Sequence, residues 1–77
     1  MEIEKAFGHS LKIIRREQSL SQEKLAQLSD LDRTYISLLE RGKRNPTIVT
    51  IFNLANALNI NPTDLIKDTE RLLYPNK

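Results

Sequence analysis

Apolar side chains recur at intervals of three and four along most of this chain, and no stretch alternates in the two-residue period of a strand. Ile3, Phe7, Leu11 and Ile14 form a first stripe, and Leu25, Ala26 and Leu28 fall in a second pattern. Ile36 and Leu39 mark a third, Ile51, Leu54, Ala55 and Leu58 a fourth, and Leu65, Ile66, Thr69, Leu72 and Leu73 a weaker fifth. The starts are sharper than the stripes. Ser21, Asp32 and Asn61 can each accept from the orphan amides of a following first turn. In all three cases apolar residues flank the cap: Leu20 with Leu25, Leu31 with Ile36, and Ile60 with Leu65. That pairing is the hydrophobic staple, which fixes the angle at which a chain joins a helix. Pro62 supports the last start, since proline suits the first helical position and pushes Asn61 out of helical geometry. Thr47, after Pro46, caps the fourth helix, and Gly42 offers a left-handed residue to end the third. The predicted helices are 3–17, 22–29, 33–41, 48–58 and 62–73, an all-α five-helix fold.

Only Asp30, Leu31 and Asp32 join the second helix to the third, so the two must cross steeply and close together. Ala26 suits that crossing, with Ile36 and Leu39 filling the angle. Projected at helical spacing, Ile36 and Leu39 define a buried side of the third helix. The opposite side carries Thr34, Ser37, Leu38 and Arg41, with Arg33 at the leading edge and Tyr35 on the boundary. Arginine, threonine and serine at an exposed helix start are the groups that read base edges: arginine donates twice to guanine, and threonine meets polar edges or a thymine methyl.

Charge adds a second signal. The net charge is only +2, but Arg41, Lys43 and Arg44 crowd into the connection "RGKRN". The run "PTIVTIFN" and its continuation to Asn61 carry no charge at all. An uncharged helix in a highly charged chain implies contact on more than one face, one face being the core and another a partner.

"LSQEKLA", "LDRTYIS" and "ERGKRNPT" together resemble the lambda-repressor-like or Xre family of helix-turn-helix regulators. Within that family, the "DRTYIS…ERGKRN" run is similar to the controller proteins of restriction–modification systems. The resemblance extends from residue 5 to residue 66, with Gln22, Ala26 and Glu40-Arg41-Gly42 at family spacing. It implies an operator of double-stranded DNA, docked as phage repressors dock. Arg33, Thr34, Tyr35, Ser37 and Leu38 fall where the family reads bases; Ser21, Gln22, Arg41, Lys43, Arg44 and Asn45 fall where it grips the backbone. Arg15 and Glu40 match a structural ion pair between the first and third helices. Asp30 and Leu38 depart from the commoner pattern, which has glycine and a polar residue or glycine there. Residues 1–66 would form the DNA-binding domain, and 67–77 the end of the fifth helix and a tail.

A homodimer is expected through Ile48, Val49, Ile51, Phe52, Asn53 and Asn61, a patch that a closed two-fold would cover. An activator would add RNA polymerase as a partner. Among regulators, a phage-type repressor, an antitoxin or a general Xre regulator competes with the controller reading. Outside them stands a helical protein-interaction module that uses the uncharged helix. No enzyme is expected: the serines lack a nucleophile elbow, and no glycine-rich loop could cradle phosphates. No cofactor or metal is expected either, because the chain has no cysteine and His9 is the one histidine. At 77 residues the chain holds one domain, and with no apolar stretch of bilayer length the cytoplasm is the expected location.

Overall fold

The computed structural model describes residues 1–76, which form five α-helices: α1 Ile3–Glu17, α2 Gln22–Ser29, α3 Arg33–Glu40, α4 Ile48–Ala57 and α5 Pro62–Leu73. The third and fourth end one residue earlier than the periodicity predicts, Arg41 and Leu58 serving as their C-caps.

The first four helices stop in one way. Ser19, Asp30, Gly42 and Asn59 take left-handed backbone, with φ of 58°, 57°, 72° and 56°. The next residue then sends its N–H back into the helix. Leu20 reaches Arg15 at 3.1 Å, Leu31 reaches Ala26 at 3.0 Å, Lys43 reaches Leu38 at 2.9 Å and Ile60 reaches Ala55 at 3.0 Å. These are Schellman endings, which satisfy carbonyls the helix would otherwise leave open. Leu20, Leu31 and Ile60 also precede the next N-cap and pack against the core. One apolar residue thus closes one helix and staples the next, which is why these connectors are so short.

The caps divide. Ser21 Oγ accepts from the Lys24 N–H at 2.9 Å, and Thr47 Oγ1 from the Thr50 N–H at 3.1 Å. Asp32, expected to do the same, makes no side-chain cap bond, so the start of α3 rests on the Leu31 staple. At α5 the Asn61 N–H donates to Asp64 Oδ2 at 3.0 Å.

The core gathers Phe7, Leu11, Leu25, Ile36, Leu39, Leu54, Leu58 and Leu65, all nearly or fully buried. α1 lies along the back, packed on α5 and α3, while α2 and α4 close the front. Three residues of the predicted stripes stay exposed: Ile3, Leu28 and Ile66. Leu28 projects about 100° from the centre of the buried Leu25–Ala26–Ser29 face, too far round to reach the core. Ile3 stands at the outermost turn of α1, and Ile66 turns toward α4.

Gly8 sets how closely α1 can approach α3. A Cβ there would collide with the Leu39 carbonyl oxygen and lie 2.8 Å from that of Glu40. Both obstacles are backbone, so the helices themselves would have to move. Alanine gains about 1 kcal/mol of helix propensity over glycine, but overpacking costs about 1–3 kcal/mol and more where backbone must shift. Gly8→Ala is therefore expected to lose about 1–2 kcal/mol net in urea denaturation. Wild-type stability would mean that α1 slides freely over α3.

Candidate nucleic-acid interface

α2 and α3 meet through three residues, Asp30 taking the left-handed turn at φ 57° and ψ 38°. Aspartate tolerates that region better than most side chains, so the turn closes without glycine. Ala26, only 6% exposed, lies at the crossing, and Ile36 and Leu39 are fully buried beneath it. Ser29 Oγ bonds back to the Leu25 carbonyl at 2.7 Å, which keeps a hydroxyl out of that apolar seam without leaving it unpaired.

With its inner side committed, α3 turns the rest outward. Arg33 and Thr34 are exposed; Tyr35, Ser37 and Leu38 are half-buried. Tyr35 leans toward α4, its hydroxyl 3.5 Å from Thr50 Oγ1, which in turn lies 3.0 Å from Thr47 Oγ1. The recognition-helix candidate is therefore tied through hydroxyls to the start of α4. Leu38, placed on the open side by its spacing, keeps only part of its surface in water.

The helix ends abruptly into the basic connection. Gly42 donates to the Leu39 carbonyl at 3.1 Å, and Lys43 to that of Leu38. Arg41, Lys43, Arg44 and Asn45 follow as exposed side chains, Arg44 Nη1 resting on the Lys43 carbonyl at 3.0 Å. Among the described residues Arg33, Arg41, Lys43 and Arg44 take part in no ion pair. Four uncompensated cations on one helix edge and its exit loop suit a polyanion.

Behind this surface stands a buried brace. Arg15 grips Glu40 with Nε on Oε2 at 2.7 Å and Nη2 on Oε1 at 2.9 Å, and Nη1 donates to the Leu20 carbonyl at 2.7 Å. The two side chains are 9% and 2% exposed. The Glu40 hydrogen bond raises the Arg15 pKa, against the lowering effect of burial, and the charge of Glu40 adds to the rise. A base raised in this way stabilises the fold fully below its unfolded pKa, and loses that contribution only as pH climbs through the folded value. For an arginine the loss lies far above neutrality, so the guanidinium holds its charge at physiological pH.

Gln22 joins the brace, its Nε2 donating to Glu40 Oε1 at 3.0 Å. A carboxylate only accepts, so the amide must present its NH2 there, which leaves one further donor. The spacing that placed Gln22 at the start of α2 gives no sign of this bond. Gly8 is likewise absent from the sequence reading of the site, though its close approach puts Glu40 within reach of Arg15. The signal available for it was a glycine on the buried side of an otherwise regular helix.

The residues expected to dimerise lie together on the α4–α5 side. Ile48, Val49 and Phe52 are 72%, 68% and 56% exposed. Ile48, Ile51 and Phe52 line a groove of about 420 Å³ with Pro62, Thr63 and Ile66. Asn53 and Asn61 border a second hollow on the other side of Phe52. Among the described residues no cluster of His, Cys, Asp and Glu could hold a metal ion, and no helix is long and apolar enough to cross a membrane.

Residues 11–65 match the helix-turn-helix family. The chain belongs to the lambda-repressor-like, or Xre, family of helix-turn-helix regulators. Among curated relatives, control protein C.MunI of Mycoplasma sp is 44% identical over 66 residues, covering 84% of this chain and 89% of its own. Control protein C.BamHI of Bacillus amyloliquefaciens is 47% identical over 64 residues, covering 82% and 79%. Among solved structures, the restriction-modification controller protein C.AhdI of Aeromonas hydrophila is 49% identical with a TM-score of 0.78, covering 79% of this chain and 92% of that one. As a member of this family the protein is a DNA-binding transcriptional regulator rather than an enzyme.

Proposed function

We propose that this regulator works as a dimer on a pseudopalindromic operator and is the controller protein of a restriction–modification system. The observation that carries the operator reading is the outer surface of α3. Arg33 and exposed Thr34 stand at its first turn, three cations follow its end, and none of the four cations has an ion-pair partner among the described residues. In this reading Arg33, Thr34, Tyr35, Ser37 and Leu38 meet base edges. Ser21, Gln22, Arg41, Lys43, Arg44 and Asn45 hold phosphates, which position the helix without reading sequence. The controller role draws on the two control proteins and the controller structure named above.

The dimer reading rests on the α4–α5 groove, where Ile48 and Phe52 stand mostly in solvent beside Ile66, with Val49 exposed on the same helix. Contiguous apolar surface of this kind marks an interaction site, and a two-fold would bury each copy's patch against the other. Ile48, Val49, Ile51, Phe52, Asn53 and Asn61 would form it. Sedimentation should give dimers at micromolar concentration and mostly monomers for Phe52→Lys; a wild-type monomer at high concentration would remove the interface.

The functional test is footprinting on the DNA upstream of the protein's own gene. Two protected half-sites one helical turn apart, about 34–36 Å between centres, are expected. Equal affinity for that DNA and for random duplex would contradict the operator reading. Activation by the bound dimer would bring RNA polymerase in as a further partner.

A further inference from the structure

Three cations of α1 stand outside the site described above. At about 100° per residue, Lys12 falls about 20° to one side of Lys5 and Arg16 about 20° to the other, so the three form one line. A rise of about 1.5 Å per residue puts about 10 Å between Lys5 and Lys12 and about 6 Å between Lys12 and Arg16.

Observed contacts show which edge of α1 this line follows. Gly42 lies directly against Lys5, since a Cβ there would sit 2.6 Å from Lys5 Cγ and 3.0 Å from its Cα. Gly8 rests on the Leu39 and Glu40 carbonyls, and Arg15 holds the Glu40 carboxylate. α1 therefore runs beside the C-terminal half of α3. The cationic line is centred about 70° outward from the Gly8–Arg15 edge, away from buried Ala6 and Phe7. On α3, the residues outward from Glu40 are Ser37 and Arg41. The two walls of this seam thus carry Lys5, Lys12 and Arg16 on one side and Arg41 on the other, with Lys43 and Arg44 at the Lys5 end.

The charges are available. Lys5 has Glu2 at 4.0 Å, but both side chains are more than 60% exposed, and such a pair contributes little. Lys12 and Arg16 take part in no ion pair among the described residues. Glu17 lies about 120° from Lys5 on the flank toward α5, and Glu4 about 100° away on the flank toward α3. Apart from the exposed Glu2 at its start, this face carries cations only, whereas a face kept for solubility alone mixes both signs along its length.

We propose that the outer flank of α1 is a second phosphate-binding surface, which takes DNA backbone beyond the half-site facing α3. It rests on the DNA-reading assignment of α3 and extends the contact past the operator's edges. The linear spacing suits successive phosphates of one strand, and continuity with the basic loop makes the two surfaces one track.

The test measures binding of the full chain to two duplexes across a salt series: the footprinted operator trimmed to its half-sites, and the same operator extended by about one helical turn on each side. Each phosphate contact contributes about 0.9 to the slope of log affinity against log salt, so Arg44→Ala, in the loop, serves as the one-contact reference. The triple variant Lys5→Ala, Lys12→Ala, Arg16→Ala should lower the slope by about two to three on the long duplex and leave it nearly unchanged on the short one. The charge-keeping triple Lys5→Arg, Lys12→Arg, Arg16→Lys should keep the wild-type slope, which separates charge loss from misfolding. An unchanged slope for the alanine triple on the long duplex, or an equal fall on both, overturns this surface alone. Absence of any wild-type binding overturns it together with the reading of α3.

Discussion

Glu40→Ala is expected to lower the unfolding free energy by about 3–5 kcal/mol, because it strands a buried guanidinium. The family resemblance pairs Arg15 with Glu40 but leaves open how completely the pair is buried, and that difference decides the size of the effect. An exposed pair contributes about 1 kcal/mol or less, whereas this one has side chains only 9% and 2% exposed. Four donor contacts depend on the arrangement: two from Arg15 to the carboxylate, one from Arg15 to the Leu20 carbonyl, and one from Gln22. Removing Glu40 leaves Arg15 with the carbonyl alone and frees Gln22 from its place at the start of α2. Urea denaturation should show the midpoint falling with little change in slope. Replacing both partners together, as Arg15→Met with Glu40→Leu, should recover most of the loss, since no charge then remains buried. An unchanged midpoint for Glu40→Ala would show that the brace does not stabilise the fold.

The other large effect expected is on recognition. Arg33→Ala should cost about 1–3 kcal/mol on the cognate operator and relax preference at one guanine in each half-site. The side chain stands at the first turn of α3, exposed and free of any acidic partner among the described residues. Its forked donors match the two acceptors that guanine presents in the major groove. Leu38→Ala should have a smaller effect. Leu38 is already half-buried, so only the remaining surface is left for a thymine methyl to cover. Anisotropy titration of the operator gives both magnitudes.

The helices were legible because apolar spacing and a capping residue type agree at every start from α2 to α5, with a staple as well at α2, α3 and α5. Their endings were only partly so. Gly42 announces a left-handed residue, but Ser19 and Asn59 take the same geometry without glycine, enforced by Leu20 and Ile60 packing on the core. Asp32 shows the reverse: a residue type suited to capping, with the apolar staple fixing the helix instead. The outward side of α3 followed from the positions of Ile36 and Leu39, because a helix has one angle per residue. Tyr35 and Leu38 did not resolve in the same way, since half-burial depends on the neighbouring helices. The approach of α1 to α3 at Gly8, and the line of cations that it places beside α3, depend on a tertiary packing distance. Periodicity along the chain hints at that approach only through a glycine on the buried side of α1 and gives no distance.

Whether α3 reads DNA sequence through Arg33 is decided by competition binding across every single-base variant of the footprinted operator. Wild-type protein should discriminate by about 1–3 kcal/mol at one guanine per half-site, and Arg33→Ala should lose discrimination there while keeping it elsewhere. If Arg33→Ala instead weakens all variants equally and every preference survives, Arg33 is a phosphate clamp and does not read a base.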